Sequence, residues 1–158
     1  MRPEKTILLL GLGNSLMRDD GIGIHVVNAL DPWPYPQQDV RVRDGGTLGL
    51  SLLPEVQSCC ALIVVDAAMI GATPGSVKTF EGPEMDAQLA GKKHSVHELA
   101  LSDLMAAAEF MGARPERRAL VGVQPEIIDW GLTPTETVAA AMPRILGAVH
   151  ELVERWRR

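Results

Sequence analysis

Aromatic residues are scarce in this chain: two Phe, one Tyr and three Trp make up 4% of 158 residues. Nothing suggests platforms on which bases would stack, and the core must be packed from Leu, Val, Ile and Ala. Cysteine is scarcer still. Cys59 and Cys60 are adjacent and enter an apolar run, which reads as small buried thiols rather than a disulfide framework, a metal site or a redox pair. An excess of positive charge is also missing: 15 Lys and Arg stand against 20 Asp and Glu, for a net charge of −5. That balance argues against a nucleic-acid footprint and equally against an anionic membrane surface. No apolar run approaches the roughly 18 residues needed to span a bilayer. Met1 to Lys5 leads straight into a strand without a signal-peptide pattern, so the cytoplasm is the expected compartment. Internal repeats, low-complexity tracts and interdomain linkers are absent as well.

What is present is a hydrophobic fraction of 46% over a length that suits a single domain, 1–158, with a sizeable core. The stretch from Ile7 to Gly23, I-L-L-L-G-L-G-N-S-L-M-R-D-D-G-I-G, organises the rest. Ile7 to Leu10 is unbroken aliphatic sequence, as in a central parallel strand covered on both faces. Gly11 and Gly13 end it. Asp19 and Asp20 then precede Ile22, Val26, Val27 and Leu30, which share one face of a helix, so the two acids sit at its positive end.

Further along, Pro32, Pro34 and Pro36 force a loop. A second strand at about Val40 to Arg43 ends in Asp44-Gly45-Gly46-Thr47. Leu48 to Val56 reads as a short helix, and Ala61 to Val65 as a third buried strand finishing at Asp66. This alternation calls for an α/β fold: one three-layer domain with a twisted, mostly parallel sheet of about five strands and helices on both faces. Ser76 to Phe80 fits an edge strand. Glu81 to His94 is polar and poorly periodic, as in a mobile loop that could clasp a substrate. Ser95 and Glu98 form a capping box ahead of a helix carrying Leu99, Leu104, Ala107 and Met111, which ends at Gly112 and places His97 in its first turn. Arg118 to Val123 is a further strand, closed by Gln124 and Pro125. Thr133, Pro134 and Glu136 repeat the capping box before one long apolar stripe from Val138 to Trp156, kinked at Pro143, with Arg155, Arg157 and Arg158 at its negative end.

Ligands of an open parallel sheet bind outside the carboxyl ends of its strands, where strand order reverses. With strands one and three as neighbours, Asp20 and Asp66 face each other there. Two carboxylates serve either as an acid/base pair or as half of a metal site. His97 turns the reading towards metal, since two Asp and one His suit nickel, zinc, manganese or iron with positions left open for substrate. Asp19 reads instead as a helix cap. Asp44 either stabilises its Gly-Gly turn through an Asx-type bond or has a role at the site. His25 and His150 fall at ordinary polar positions of helices, and His94 is a second-choice ligand.

Two other functional classes use the same residues. Gly11-Leu12-Gly13 opens like a dinucleotide fingerprint, with Asp44 where a ribose-binding acid would stand. However, Leu16 occupies the third glycine position, and Asp19 and Asp20 would repel a pyrophosphate. A catalytically silent metal chaperone needs the same ligands but no carboxylate positioned to activate water.

Taken together, G-L-G-N-S-L-M-R-D-D-G-I-G, D-G-G-T at Asp44 to Thr47, V-V-D-A at Val64 to Ala67, S-V-H-E-L at Ser95 to Leu99 and V-G-V-Q-P at Val121 to Pro125 resemble the hydrogenase maturation endopeptidases. The five segments stand in the right order over nearly the whole chain. The resemblance implies a peptidase that trims the C-terminal extension from the precursor of the nickel-iron hydrogenase large subunit once nickel has been inserted. It implies metal contacts at Asp20, Asp66 and His97, and catalytic involvement of Asp20, Asp66 and Asp44, the last in a role near the substrate. Nickel then arrives with the precursor, although other divalent metals could occupy the site, and a monomer is expected. One departure stands out: the family often has Glu where this chain has Asp20. Water activation by a carboxylate and by the metal both remain open.

Overall fold

The computed structural model describes residues 5–30, 33–91 and 96–157, and the side chains of all of these except 96–98. Its centre is a five-stranded sheet of β1 (Ile7–Leu12), β2 (Val40–Gly46), β3 (Ala61–Ala67), β4 (Val77–Glu81) and β5 (Arg117–Val123), in the order β2-β1-β3-β5-β4. Pairing is parallel except for the edge strand β4, which runs antiparallel to β5 with Val77 opposite Val123.

Strand sequence explains the layering. β1 and β3 are buried along their whole length, and alternate residues feed opposite cores. Ile7, Leu9, Ile63, Val65 and Val121 pack under α1 (Ile22–Asn28) and α6 (Met142–Trp156). Leu8, Leu10, Leu62, Val64 and Leu120 face α2 (Leu53–Ser58), α3 (Pro83–Ala90) and α4 (Val96–Phe110). Helices therefore cover both faces of a mostly parallel sheet, the three-layer arrangement that unbroken aliphatic strands require.

Several local expectations need correction. The supposed loop Glu81 to His94 contains α3 between Pro83 and Ala90. Its apolar content is thin, but Met85 and Leu89, four apart, are enough to fix one face against the sheet. Lys92, Lys93, His94 and Ser95 lie outside the described residues, and with them the capping box read at Ser95 and Glu98. The long C-terminal helix is two helices. Thr135, not Thr133, caps the short α5 (Glu136–Ala139), accepting from Val138 N. Pro143 stands in the first turn of α6, where its missing N–H costs nothing, so it starts that helix instead of kinking it.

Cys59 is buried and its thiol is pushed up to about 11 by desolvation, whereas Cys60 is exposed, contrary to the reading of both as buried thiols. The two histidines assigned to helix surfaces are half-buried. His150 stacks on Trp33 at 5.6 Å between ring centroids and lies 3.2 Å from the Tyr35 hydroxyl. Trp33 and Tyr35 bracket Pro34, so this ring cluster fastens the proline-rich loop onto α6. Tyr35 also donates to Glu154, and burial raises its hydroxyl to about 12. Among the described residues no helix is long and apolar enough to cross a membrane.

Candidate active site at the carboxyl edge of the sheet

After β1 the chain continues to β2 on one side, then crosses to β3 on the other, so strand order reverses between β1 and β3. A buried carboxylate stands in the turn after β1 and another at the end of β3. Asp20, 4% exposed, lies in a 3-10 turn (Arg18–Gly21) that leads directly into α1. Asp66, 2% exposed, is the penultimate residue of β3, paired with Gly122 of β5.

The close approach of the two segments depends on glycine. A Cβ on Gly23 would sit 2.3 Å from Val65 O and 2.4 Å from Leu12 O, so only a bare backbone lets α1 begin against the ends of β1 and β3. Gly13 has φ +132, and a Cβ there would strike Asp20 O. The glycines of the opening motif thus draw the Asp20 turn down onto the sheet. Its carboxylate is then held by the backbone N–H of Asn14, which donates to Oδ2 at 3.1 Å.

Asp44 stands one strand further out, at the end of β2 opposite Gly11. It is exposed, and its Oδ1 accepts from Gly46 N at 3.0 Å, the Asx-type turn allowed by its sequence. Gly13 N donates to Gly46 O at 3.0 Å, so the turns after β1 and β2 are directly linked. His97 falls in the first turn of α4, whose N-terminal half packs over the turn that follows β2, but its side chain is outside the described residues. His94 is outside them altogether. Among the described residues no group of three or more His, Cys, Asp and Glu side chains is poised around one point. The structure therefore puts the turn that carries Asp20 against β3, the strand that carries Asp66, with Asp44 at the end of β2 on the other side of β1, and leaves the imidazole of His97 undescribed.

Asp19 is not the helix cap expected of it. Fully buried, it accepts from Glu126 N at 2.9 Å, Ile127 N at 3.0 Å, Thr135 N at 2.7 Å and the Thr135 hydroxyl. It ties the long connection after β5 to the turn that carries Asp20. Gln124, at the end of β5, does the same for the segment after Asp66: its Oε1 accepts from Ile70 N at 2.8 Å. The sequence signal for both was a polar residue immediately beyond an apolar strand or before an apolar helix, without any indication of its distant partner.

The same architecture recurs in known proteins. A family model described as hydrogenase maturation protease matches residues 24–152. The chain belongs to the hydrogenase maturation protease family. A hydrogenase expression/formation protein, HupD, from Rhizobium leguminosarum bv. viciae is 36% identical over 155 residues, covering 98% of this chain and 77% of its own. The hydrogenase 2 maturation protease of Escherichia coli K12 is 37% identical over 150 residues, covering 92% and 91%. Among solved structures, the hydrogenase maturating endopeptidase HybD from E. coli superposes with a TM-score of 0.88 at 34% identity, over 95% of this chain and 93% of that one. Membership of the hydrogenase maturation protease family makes this chain a peptidase. It also settles the glycine turn against the dinucleotide-binding reading. In this hydrogenase maturation protease the turn brings buried carboxylates down to the sheet, where a Rossmann turn would clear space for a pyrophosphate.

Proposed function

We propose that this peptidase removes the C-terminal extension of the nickel-iron hydrogenase large-subunit precursor after nickel has been inserted. It would recognise the loaded state through Asp20, Asp66 and His97. The observation that carries the reading is the pair of buried carboxylates at the reversal of strand order, Asp20 in the turn that follows β1 and Asp66 at the end of β3. Burying two carboxylates so close to one crevice is costly unless cations or donors meet them there. Carboxylate oxygens with an imidazole make a donor set that suits nickel and leaves positions for the ligands the precursor supplies.

The nickel is part of the substrate in this reading. Bound at the crevice, it supplies Lewis-acid polarisation of a nearby carbonyl or of water. The chain's own residues supply the rest. Asn14 N holds Oδ2 of Asp20, so that carboxylate meets the substrate in a fixed orientation. A carboxylate of the group takes the proton of the attacking water, whose oxygen bonds to the scissile carbonyl carbon. The same proton then passes to the departing amide nitrogen as the C–N bond breaks. Asp44, exposed on the rim, stands where the extension would enter.

Mass spectrometry of the cognate precursor, with and without nickel loaded, tests the reading. A C-terminal peptide is expected only from the loaded precursor, and Asp20→Asn should slow its release at least ~100-fold, as for loss of a proton-transferring group. Asp20→Asn cleaving at the unaltered rate would remove the site assignment. Equal cleavage of both precursors would remove nickel gating.

A further inference from the structure

The loop held by Asp19 exposes more apolar surface than its length explains. Trp130 is 72% and Leu132 71% exposed, and Ile127, Ile128 and Leu16 are exposed beside them. Leu16 comes from the turn after β1 and the others from the connection after β5. Three backbone bonds weld them into one surface: Gly131 N to Leu16 O at 2.9 Å, Arg18 N to Gly131 O at 3.0 Å, and Asp19 N to Ile127 O at 3.3 Å.

This surface is costly to build. Arg18 adopts φ +49, a left-handed conformation uncommon for a residue with a side chain. Asp19 is a carboxylate with no exposure, spent on backbone donors of the loop. Both residues immediately precede Asp20. Strain, a buried charge and solvent-facing Trp and Leu in one place are what a binding surface requires and what stability alone would not select.

We propose that this loop is where the folded body of the precursor docks. An apolar patch of the precursor beside its nickel-bearing cleft packs on Leu16, Ile127, Ile128, Trp130 and Leu132 while the extension enters the crevice. The inference rests on the function proposed above and names the partner's surface for it. Two observations favour a folded surface over an extended tail. Loop backbone that an added strand would need is already engaged: Glu126 N and Ile127 N donate to Asp19, Trp130 N donates to Asp129, and the Trp130 and Gly131 carbonyls accept from Arg18. What remains free is side-chain surface centred on a Trp, the composition of a protein-protein hot spot. The surface is also continuous with the catalytic crevice, since Leu16, Arg18 and Asp19 lie on the segment that carries Asp20.

Initial rates of extension release, measured against concentration of nickel-loaded precursor, test the proposal. The variants are Trp130→Ser/Leu132→Ser, Ile128→Lys and, as a control, Phe110→Ser. Phe110 is 89% exposed at the far end of α4, towards the amino end of β5. Both loop variants should raise KM at least tenfold with kcat within twofold, and Phe110→Ser should change neither. Because truncation and charge insertion disturb the loop differently, a folding defect in one, seen as a lowered thermal midpoint, leaves the other decisive. Unchanged KM in the loop variants, an equal rise in Phe110→Ser, or a fall in kcat alone would overturn docking while leaving the proposed function standing. Failure of the unaltered protein to cleave its loaded precursor would overturn the function and the docking surface with it.

Discussion

Asp19 and Asp20 are adjacent, chemically identical and both buried, yet they do different work. Asp20 accepts from the backbone of its own turn, at Asn14 N, and Asp19 reaches into the connection after β5. Nothing in a D-D pair distinguishes the two, because the difference lies in donors more than a hundred residues away, at Glu126, Ile127 and Thr135. Replacing Asp19 by Asn keeps the shape but turns one acceptor into a donor facing backbone N–H groups. Urea unfolding should show a loss of about 3 kcal/mol, the range for leaving buried polar groups unsatisfied. A loss within about 0.5 kcal/mol, the size of an ordinary surface substitution, would mean that the loop does not depend on this anchor.

At the scale of elements, the strands were legible and the helix boundaries less so. Ile7 to Leu10 and Ala61 to Val65 announce themselves because a strand buried on both faces has to be apolar at every position. α3 was hidden because a helix lying on a sheet edge needs few apolar residues, here Met85 and Leu89. The break between α5 and α6 was hidden because the apolar stripe continues across it, and a stripe records the buried face rather than hydrogen-bond continuity. The junction of α1 with the sheet depends on a missing side chain. Gly23→Ala would press a methyl group into the carbonyls of Val65 and Leu12. It should cost about 3 kcal/mol, an overpacking penalty at its upper end because backbone cannot swing aside. The thermal midpoint should fall accordingly, and a midpoint equal to that of the parent would show that α1 can shift at no cost.

Across the whole molecule, the two cores are closed at the amino edge of the sheet by charge. Arg118, at the start of β5 and nearly buried, donates to both oxygens of Asp86 in α3, at 2.9 and 2.5 Å, and its Nη1 reaches the carbonyls of Pro115 and Glu116. The hydrogen bond from that guanidinium holds the Asp86 carboxyl below the usual carboxylate range, against the opposing effect of burial. A depressed carboxylate stabilises the fold fully above its unfolded pKa, so the contribution is complete above about pH 5. It is lost as the pH falls through ~4 towards the folded value. About a third of the Asp86 side chain remains in water, which screens the pair, so Asp86→Asn should cost about 1–2 kcal/mol at pH 7. The difference between parent and variant in urea midpoint should shrink as the pH falls below ~4. A difference independent of pH would assign the effect to packing instead.

By itself the sequence determined the three-layer α/β class, the sheet's parallel core and the position of Asp20 ahead of a helix and of Asp66 at a strand end, because period, burial and turn residues are local properties written into neighbouring positions. Only the tertiary structure decided that Asp19 is an anchor, that Gln124 fixes the segment after Asp66, and that Leu16 and Trp130 belong to one surface. Each of those facts is a contact between segments far apart in the chain, and such contacts exist only once the crossovers bring the strand ends to one edge.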